Sequence, residues 1–500
     1  MVILNAQQIR EWDQYTIQHE PICSLDLMER AASKCCEWIQ KQDWKERSIS
    51  IFCGKGNNGG DGLAIARILY YAGYRVQVFI LEFGKKGTED FQANLQALHK
   101  LPIAINFIQE KENFPDLSSN EIIIEALYGS GLNKPLEGLS AELVQYINDL
   151  KATVTAIDIP AGLFIDRSSL GNTIIKANYT LTFQCYKLAL LLQENASFIG
   201  YVIVLDIGLD KQFLNENTFS IELLDHSTVK RKFHKRERFA HKGFFGHALL
   251  IGGSFGKIGA AVLMTKACLH SGAGLVTIHV PACGYAILQT AVPEAMVIAD
   301  KNEYNVAELP DDQDKYSVIG IGPGIGRSEE TQHLVSYLIK RYKKSLVIDA
   351  DGLNCISVQP ELLNHLPTGT ILTPHPKEFD RLFGEHQSDF ARIDTAIRKS
   401  KELNAVIVLK GHHTFIATPA GNSYFNNTGN AGMAKGGTGD VLTGIIAAFV
   451  SQKYEPADAA ILGVYLHGFA GDFAASEYSM ESMTASDIIS SLGKAFRELY

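Results

Sequence analysis

The segment at residues 430–450, NAGMAKGGTGDVLTGIIAAFV, limits what this chain can fold into more than any other segment. Its GGTG portion is too flexible and has too few side chains for a regular element, and the apolar residues from Val441 onward predict about three turns of buried helix. A glycine loop that opens into a helix directs unpaired backbone N–H groups and the positive end of the helix dipole toward one point. The segment therefore predicts an anion site, for which phosphate is a typical ligand.

Asp440 is the one charged residue between this glycine loop and the helix. A carboxylate would repel a bound phosphate, so anion binding alone does not explain its presence. The residue is explained if it takes a proton from a substrate hydroxyl while the N–H groups hold an incoming phosphoryl group. The alternative is that Asp440 only caps the helix. We predict that Asp440 is a catalytic base.

The composition bounds the class of protein. A chain of 500 residues exceeds one ordinary core, which predicts two or three domains. A hydrophobic content of 46% with 20% charged residues is typical of a soluble globular chain, and a net charge of −9 argues against nucleic-acid and membrane-surface partners. Eight cysteines without a CxxC pair, and an amino terminus without an apolar signal segment, predict a cytoplasmic protein with reduced thiols.

The first half begins with a strand at residues 48–53, the loop GKGNNGGDG and an apolar helical run. The spacing GxGxxG suggests a dinucleotide-binding Rossmann unit, although this pattern alone is weak. Asn57, Asn58 and Asp61 add two amides and a carboxylate to the loop, and such oxygens can coordinate a cation or bind a polar substrate. The alternative is an Asx-rich turn held by its own backbone.

Two further strand–loop units follow, and each places an acid near the end of an apolar strand. Residues 121–127 lead into YGSGLNKP and residues 153–159 lead into PAGL, with Glu125 and Asp158 as the acids. Open α/β sheets bind ligands at the carboxyl ends of their strands. The alternation of strands and helices through Leu209 predicts a three-layer domain with a parallel sheet.

The second half repeats this strand–loop pattern after a basic run at residues 230–238, KRKFHKRER, which we interpret as a solvated linker. We expect the domains to be residues 1–225 and 226–500. Among the later loops, His375 lies between two prolines at a strand end, which favours ligand contact. Lys410 follows a buried strand and precedes a glycine, where it can meet a nucleotide phosphate.

Five motifs of the first half resemble those of the NAD(P)H-hydrate epimerase family, in the same order: LMERAA, GKGNNGGDGL, EALYGSGL, DIPAGL and NYTLTFQCYKLAL. The resemblance implies that the hydrated nicotinamide nucleotide is contacted by Asn57, Asn58, Gly59, Gly60, Asp61, Gly129, Ser130, Gly131, Leu132, Asn133, Lys134, Pro135 and Asp158. Epimerisation needs a proton-transfer group, and Asp158 is the best placed candidate by strand position.

The same resemblance implies a potassium ion bound through Asn58 and the positions of Glu125 and Ala161. Two of these positions depart from the family pattern. Glu125 stands where aspartate is usual, and Ala161 stands where serine is usual. The longer acid could shift the ion, and Ala161 keeps a carbonyl but lacks the hydroxyl.

The second half resembles the ribokinase-like superfamily and, within it, the ADP-dependent NAD(P)H-hydrate dehydratases, on the motifs TPHPKEF, KGHHT and NAGMAKGGTGD. The resemblance implies an adenine nucleotide at Lys410, Gly411, His412, His413, Thr414 and Gly439. It implies a hydrated dinucleotide at Ala273, Gly324, His375 and Asp440. Glu378 resembles the acid that steers magnesium in an N-x-x-E motif, with histidine in place of asparagine.

Together these features predict two three-layer αβα domains, a Rossmann-like one followed by a ribokinase-like one. The expected protein is a homo-oligomeric repair enzyme that epimerises hydrated NADH and NADPH and dehydrates the S form. Its expected co-substrate is ADP, giving AMP and phosphate, with potassium and magnesium as cofactors. One alternative is a hydroxymethyl-pyrimidine or sugar kinase with an added Rossmann domain. Another is that the first half is a binding module without catalysis. The preferences between ADP and ATP, and between the two hydrates, stay open.

Overall fold

The structure is a computed structural model that describes all 500 residues. The chain forms two compact units: residues 2–219 with 388–390, and residues 220–387 with 391–500 and Met1. The division at residue 220 lies before the expected boundary at residue 226. The reason is a short strand at Ile221–Leu223 that pairs with the sheet of the second unit. None of the helices has the length and apolar character needed to cross a membrane.

The first unit contains one parallel sheet of seven strands in the order β3-β2-β1-β4-β5-β6-β7. This order reverses between β1 and β4, the point at which open α/β sheets bind ligands. Its elements are α1 (Ala6–His19), α2 (Ser24–Ile39), β1 (Ser48–Cys53), α3 (Asn57–Tyr71), β2 (Arg75–Leu81), α4 (Glu89–Leu98), β3 (Ala104–Ile108), β4 (Ile122–Ala126), α5 (Gly138–Asp149), β5 (Thr153–Ile157), β6 (Tyr179–Phe183), α6 (Ala196–Ile199), β7 (Tyr201–Leu205) and α7 (Gln212–Glu216).

Helices cover both faces of this sheet because successive side chains of a strand point to opposite sides. In β1, Ile49 and Ile51 pack with α2 and α3, whereas Phe52 packs on the opposite face with α5. Burial on both faces explains the nearly continuous apolar runs of these strands. The predicted three-layer architecture is confirmed.

The second unit contains a sheet of ten strands in the order β11-β10-β9-β12-β13-β14-β15-β16-β17-β8. The strands from β11 to β15 are parallel, and β16 and β17 add an antiparallel hairpin. Its elements are β8 (Ile221–Leu223), α8 (His226–Lys232), β9 (His247–Ile251), α9 (Ile258–His270), β10 (Leu275–Val280), α10 (Tyr285–Ala291), β11 (Met296–Ala299), β12 (Val318–Ile321), α11 (Glu329–Arg341), β13 (Leu346–Ile348), α12 (Ala350–Val358), β14 (Ile371–Leu372), α13 (Pro376–Phe383), α14 (Asp389–Leu403), β15 (Val406–Leu409), β16 (Phe415–Ala417), β17 (Ser423–Phe425), α15 (Thr438–Ser451), α16 (Pro456–Tyr478) and α17 (Ala485–Leu499).

The basic run at residues 230–238 is largely exposed, as expected for a solvated segment, but its first part is helical. Part of it forms α8, whose Lys232 makes an ion pair with Asp458 at 2.6 Å. The guanidinium of Arg236 lies 3.9 Å from the ring centroid of Phe245. Lys232 and Arg236 therefore contact the second unit, although five of the six basic residues are exposed.

The helix α15 is buried along almost its whole length and lies at the centre of the second unit. It packs against α9 so closely that a side chain at Gly444 would overlap the backbone carbonyl of Met264. The helix begins at Thr438, earlier than the sequence suggested, because Gly437 adopts the left-handed conformation with φ 94° and ends the loop.

This contact predicts a specific loss of stability. Gly444→Ala should lower the free energy of unfolding of the second unit by about 1–3 kcal/mol, because the methyl group forces α9 and α15 apart. Gly493→Ala is the matched control, since it lies in the exposed part of α17 with open space around it. The control should stabilise the unit by about 0.5–1 kcal/mol. Denaturant unfolding followed by circular dichroism measures both, and equal effects would contradict the close contact.

Candidate functional site in each unit

The first unit contains a cavity of about 1050 Å³. The loops that follow β1 and β4 both line it, as expected where the strand order reverses. Eleven predicted residues line this cavity: Asn57, Asn58, Asp61, Gly129, Ser130, Gly131, Leu132, Asn133, Lys134, Pro135 and Asp158. Gly59 and Gly60 are not among its lining residues, because they pack inward, where a Cβ would overlap Gly54 and Met28 respectively.

The polar residues after β1 belong to a helix and not to a loop. The helix α3 begins at Asn57, with Gly56 as its N-cap, so Asn58 and Asp61 lie in its first two turns. Helix formation here depends on the close approach of Gly59 to the carbonyl of Gly54. The arrangement places the free N–H groups at the start of α3 beside the cavity.

Asp158 is held at the cavity by an ion pair with Lys187, a partner that the sequence motifs did not predict. Its Oδ1 lies 2.7 Å from Nζ of Lys187, a side chain that is 1% exposed, and its Oδ2 accepts the N–H of Ser130 at 3.2 Å. Burial by itself would raise the pKa of the Asp158 carboxyl, but Lys187 and Ser130 lower it below its usual value. Asp158 is therefore ionised. A lysine inside the apolar run CYKLAL was the sequence signal for this partner.

Two other carboxyls of the cavity have the opposite tendency. Burial raises the pKa of Asp13 to about 7, with the charge of Asp158 adding to the rise and Lys187 opposing it. Burial also raises the pKa of Asp61 well above its usual value, and the charges of Asp158 and Asp13 add to this. Asp13 was not predicted as a site residue, although an acid between Ile9 and Ile17 on one helical face is unusual.

Glu125 and Asn58, the predicted potassium ligands, contact the same short segment after β4. Glu125 is fully buried, and its two oxygens accept the N–H groups of Leu127 at 2.7 Å and Ala161 at 3.0 Å. Burial raises the pKa of Glu125 to about 7, and these N–H groups oppose the rise. The amide of Asn58 is buried without a hydrogen-bond partner and lies beside Gly129.

In the second unit, Asp349 joins three elements at the start of α15. Its Oδ1 lies 2.6 Å from Nζ of Lys410, and its Oδ2 accepts the hydroxyl of Thr443 at 2.9 Å. A side chain at Gly439 would contact both Lys410 and Asp349, which shows how closely the loop approaches them. Asp349 was not assigned a role from the sequence, although its position directly after β13 is typical of site residues.

Asp440 lies in the first turn of α15, beside this group. Burial raises the pKa of its carboxyl to about 6, the charge of Asp349 adds to the rise, and Lys410 opposes it. A carboxyl with this pKa is a stronger base than an exposed aspartate and is still mostly ionised at neutral pH. The structure thus brings together Gly439, Asp440 and Lys410 as the sequence predicted.

His375 and Glu378 form the capping box of α13. The N–H of His375 donates to Glu378 Oε2 at 2.9 Å, and the N–H of Glu378 donates to His375 Nδ1 at 3.2 Å. Glu378 Oε2 also lies 3.9 Å from Nζ of Lys410, which connects this pair to the Asp349 group. Burial lowers the pKa of His375 while Glu378 opposes this, so the ring is neutral.

The KGHHT segment forms a turn after β15, in which Thr414 donates its hydroxyl to the carbonyl of Gly411 at 3.2 Å. His412 is exposed, and its ring is tilted by 51° relative to that of His413, with ring centroids 4.5 Å apart. Burial lowers the pKa of His413 to about 4, and its Nδ1 is buried without a partner. These residues surround the end of the strand that carries Lys410.

Ala273 is a correction to the predicted site. It lies between α9 and β10, next to Ser271. The carbonyl of Ser271 accepts a hydrogen bond from Nε2 of Gln452, which is at the carboxyl end of α15. A helix of 14 residues spans about 21 Å, so Ala273 is remote from Asp440 at the other end. Gly324, with φ 68°, lies beside the first turn of α9. A Cβ added at Gly324 would be 3.1 Å from the Cβ of Ala260.

Family models match both units. Residues 248–494 match the model described as NAD(P)H-hydrate dehydratase, and residues 24–189 match the model described as YjeF-related protein N-terminus. The structure of the ADP/ATP-dependent NAD(P)H-hydrate dehydratase from Bacillus subtilis, co-crystallised with ATP and Mg²⁺, is 29% identical with a TM-score of 0.50. It covers 57% of this chain and 100% of its own. A ribokinase-like superfamily protein from Enterococcus faecalis is 30% identical with a TM-score of 0.51, over 57% of this chain and 98% of its own.

Curated relatives match over the full length. The bifunctional NAD(P)H-hydrate repair enzyme Nnr of Moorella thermoacetica is 35% identical over 100% of this chain and 97% of its own. The proteins of the same name from Thermofilum pendens and Escherichia coli are 33% and 32% identical, over 100% and 97% of this chain and 97% and 92% of their own. Since both units and their order are shared with these proteins, the chain belongs to the family of bifunctional NAD(P)H-hydrate repair enzymes.

Proposed function

We propose that the first unit interconverts the R and S forms of hydrated NADH and NADPH, and that the second unit dehydrates the S form. The dehydration consumes ADP and yields AMP and phosphate. One observation carries this proposal. The chain matches a bifunctional relative over its full length, and each of its two units has a glycine-lined site with an ionised acid. A dehydratase specific for one epimer leaves the other to accumulate, and an epimerase on the same chain prevents this.

In the second unit, Asp440 accepts the proton of the ring hydroxyl as that oxygen takes the phosphoryl group. The N–H groups at the start of α15 and the positive end of its dipole hold the transferred phosphoryl group. Lys410, oriented by Asp349 and close to Gly439, neutralises phosphate charge. Phosphorylation turns a poor leaving group into a good one, and the electron pair of the ring nitrogen expels it as phosphate. The resulting iminium ion then loses a proton from the neighbouring ring carbon, which gives NAD(P)H.

Glu378 does not fit the role of a direct magnesium ligand. Its carboxylate oxygens face His375 and Lys410, and Oε2 already accepts a backbone N–H. Magnesium is bound in many sites mainly through substrate phosphates, where it neutralises charge. We infer that magnesium enters this site with the nucleotide and that Glu378 positions His375 and Lys410.

In the first unit, the residues present fit a potassium ion. A cation would satisfy the buried amide oxygen of Asn58, which has no partner in the chain. Glu125 would supply a carboxylate oxygen, and Ala161 orients that carboxylate through its N–H. When bound, the ion would neutralise Glu125 and hold the segment that carries Gly129 against the cavity.

A cytoplasmic location and a homo-oligomeric state are further proposals. All eight cysteines are unpaired and six of them are buried, as is usual for a chain in a reducing compartment. Sedimentation equilibrium of the purified chain determines the oligomeric state directly. The sites do not separate ADP from ATP, because both carry the same adenosine and leading phosphates.

Asp440→Asn should retain nucleotide binding and lose dehydration by a factor of about 10²–10⁴, because the amide has nearly the same shape but cannot accept a proton. Wild-type kcat/KM for dehydration should fall as the pH drops below about 6, where Asp440 gains a proton. Steady-state assays and calorimetric ADP titration measure these effects. Retention of more than a tenth of the wild-type rate, with binding unchanged, would show that Asp440 is only a cap.

Asp158→Asn should stop epimerisation, with a loss of about 10²–10⁴ in rate, and leave dehydration of the S form unchanged. Asparagine tolerates the left-handed conformation of this residue, φ 65°, so the backbone should be retained. The reciprocal control is Asp440→Asn, which should leave epimerisation unchanged. Chromatographic separation of the two epimers follows the reaction, and epimerisation at the wild-type rate would remove the catalytic assignment.

Replacing potassium by sodium should slow epimerisation and leave dehydration at its original rate. Glu125→Asp restores the shorter acid of the family pattern and should make epimerisation more dependent on potassium. The reason is that Glu125 reaches the N–H groups of Leu127 and Ala161 and already holds part of the segment without an ion. Epimerisation rates measured in potassium and sodium buffers of equal ionic strength test this; equal rates for both proteins would argue against an ion site.

A further inference from the structure

One face of α1 is turned toward the cavity of the first unit and carries an acid in an apolar setting. Ile9, Asp13 and Ile17 are spaced four residues apart, and all three line the cavity. Residues at this spacing lie above one another on a helix, so Asp13 is at the centre of the stripe. A carboxyl placed there is poorly solvated and directed at whatever occupies the cavity.

The orientation of α1 is fixed by two hydrogen bonds to the backbone of Asp210. Trp12, which is 3% exposed, donates its indole N–H to the carbonyl of Asp210 at 2.7 Å. Thr16 is fully buried, and its hydroxyl oxygen accepts the N–H of Asp210 at 3.0 Å. These two bonds prevent α1 from turning, so Asp13 keeps its place in the cavity wall.

The charged groups that line the cavity with Asp13 come from α1, α3 and the loops that follow β1, β4, β5 and β6, and they include Lys55, Lys134 and Glu137. Asp158 and Lys187 line the same cavity as an ion pair, Asp61 lines it from α3, and Arg10 lines it from α1 itself. Burial raises the pKa of Asp13 to about 7, whereas the ion pair keeps the pKa of Asp158 low. The pKa of Asp61 is also raised, so near neutral pH the cavity offers two carboxyls that can donate a proton, Asp13 and Asp61, and one that can accept it, Asp158. Of the two donors, Asp13 lies at the centre of the apolar stripe of α1. Two carboxyls whose environments separate their pKa values in this way are typical of an acid–base pair.

Resting on the proposed epimerase function, we propose that Asp13 is a second catalytic residue of the first unit, the acid that protonates the ring nitrogen. Asp158 takes the proton of the ring hydroxyl while the carbon–nitrogen bond breaks and a carbon–oxygen double bond forms. The electron pair of the broken bond goes to the ring nitrogen, which receives the proton of Asp13.

The open form has a planar carbonyl carbon that can turn its other face to the nitrogen. Ring closure reverses both transfers: the nitrogen attacks the carbonyl carbon and returns its proton to Asp13, and Asp158 returns a proton to the oxygen. No atom or electron is gained or lost, and the product is the other epimer. Without a donor, the nitrogen would have to leave as an anion, which is costly in a poorly solvated cavity.

The test is Asp13→Asn in the full-length protein, with Glu11→Gln as the matched control. Glu11 is an exposed acid on the same helix, so the control makes the same chemical change outside the cavity. Asp13→Asn should lower kcat for epimerisation by about 10²–10³ with a smaller change in KM, and Glu11→Gln should not. Dehydration of the S form with ADP should be unchanged in both. An epimerisation rate of Asp13→Asn within tenfold of wild type overturns the assignment.

The pH profile of the wild-type protein gives a second, independent measurement that does not depend on the folding of a variant. As Asp13 loses its proton, kcat for epimerisation should fall above about pH 7. A rate that stays constant from about pH 6 to pH 9 overturns the role of Asp13. If the wild-type protein does not epimerise at any pH, the proposed function of the first unit fails instead.

Discussion

In each unit, a buried carboxylate at the end of a parallel strand holds a lysine beside the site. The pairs are Asp158 with Lys187 and Asp349 with Lys410. Removing one partner of a buried pair leaves an uncompensated charge, which costs about 3–5 kcal/mol. These pairs determine the position of the lysine ammonium group at each site. The second acid of each site, Asp13 or Asp440, owes its raised pKa to burial and to the charge of the paired carboxylate.

The two units use this arrangement for different chemistry because different backbone groups surround it. In the second unit, the start of α15 presents free N–H groups next to Asp440, which suits transfer of a phosphoryl group. In the first unit, the ionised and protonated carboxyls share a large cavity, which suits proton transfer at both ends of one bond. The departures at Glu125 and Ala161 affect only the proposed potassium site of the first unit. They leave Asp158 and its lysine in place.

Three predicted site residues have positions that follow from the local strand pattern. Asp440 after a glycine loop, Asp158 after a buried strand and Lys410 after β15 all lie at the sites where the strand pattern placed them. Ala273, which the family resemblance implied, lies away from Asp440. Short motifs do not reveal which end of α9 faces the ligand. The error in the helix start at Asn57 has a similar cause, since a glycine-rich segment can be a loop or a helix until its neighbours are known.

By itself, the sequence determined the family, the strand–loop units and the acids that follow them, because these depend on periodicity and on short motifs. Only the tertiary structure decided which groups meet. Lys187 reaches Asp158, Asp349 reaches Lys410 and Asp13 joins the same cavity across long separations in the chain. Strand order also placed β8 in the second sheet, beside β17. Such pairings are set by strand order and by helix packing, and no local pattern of residues encodes them.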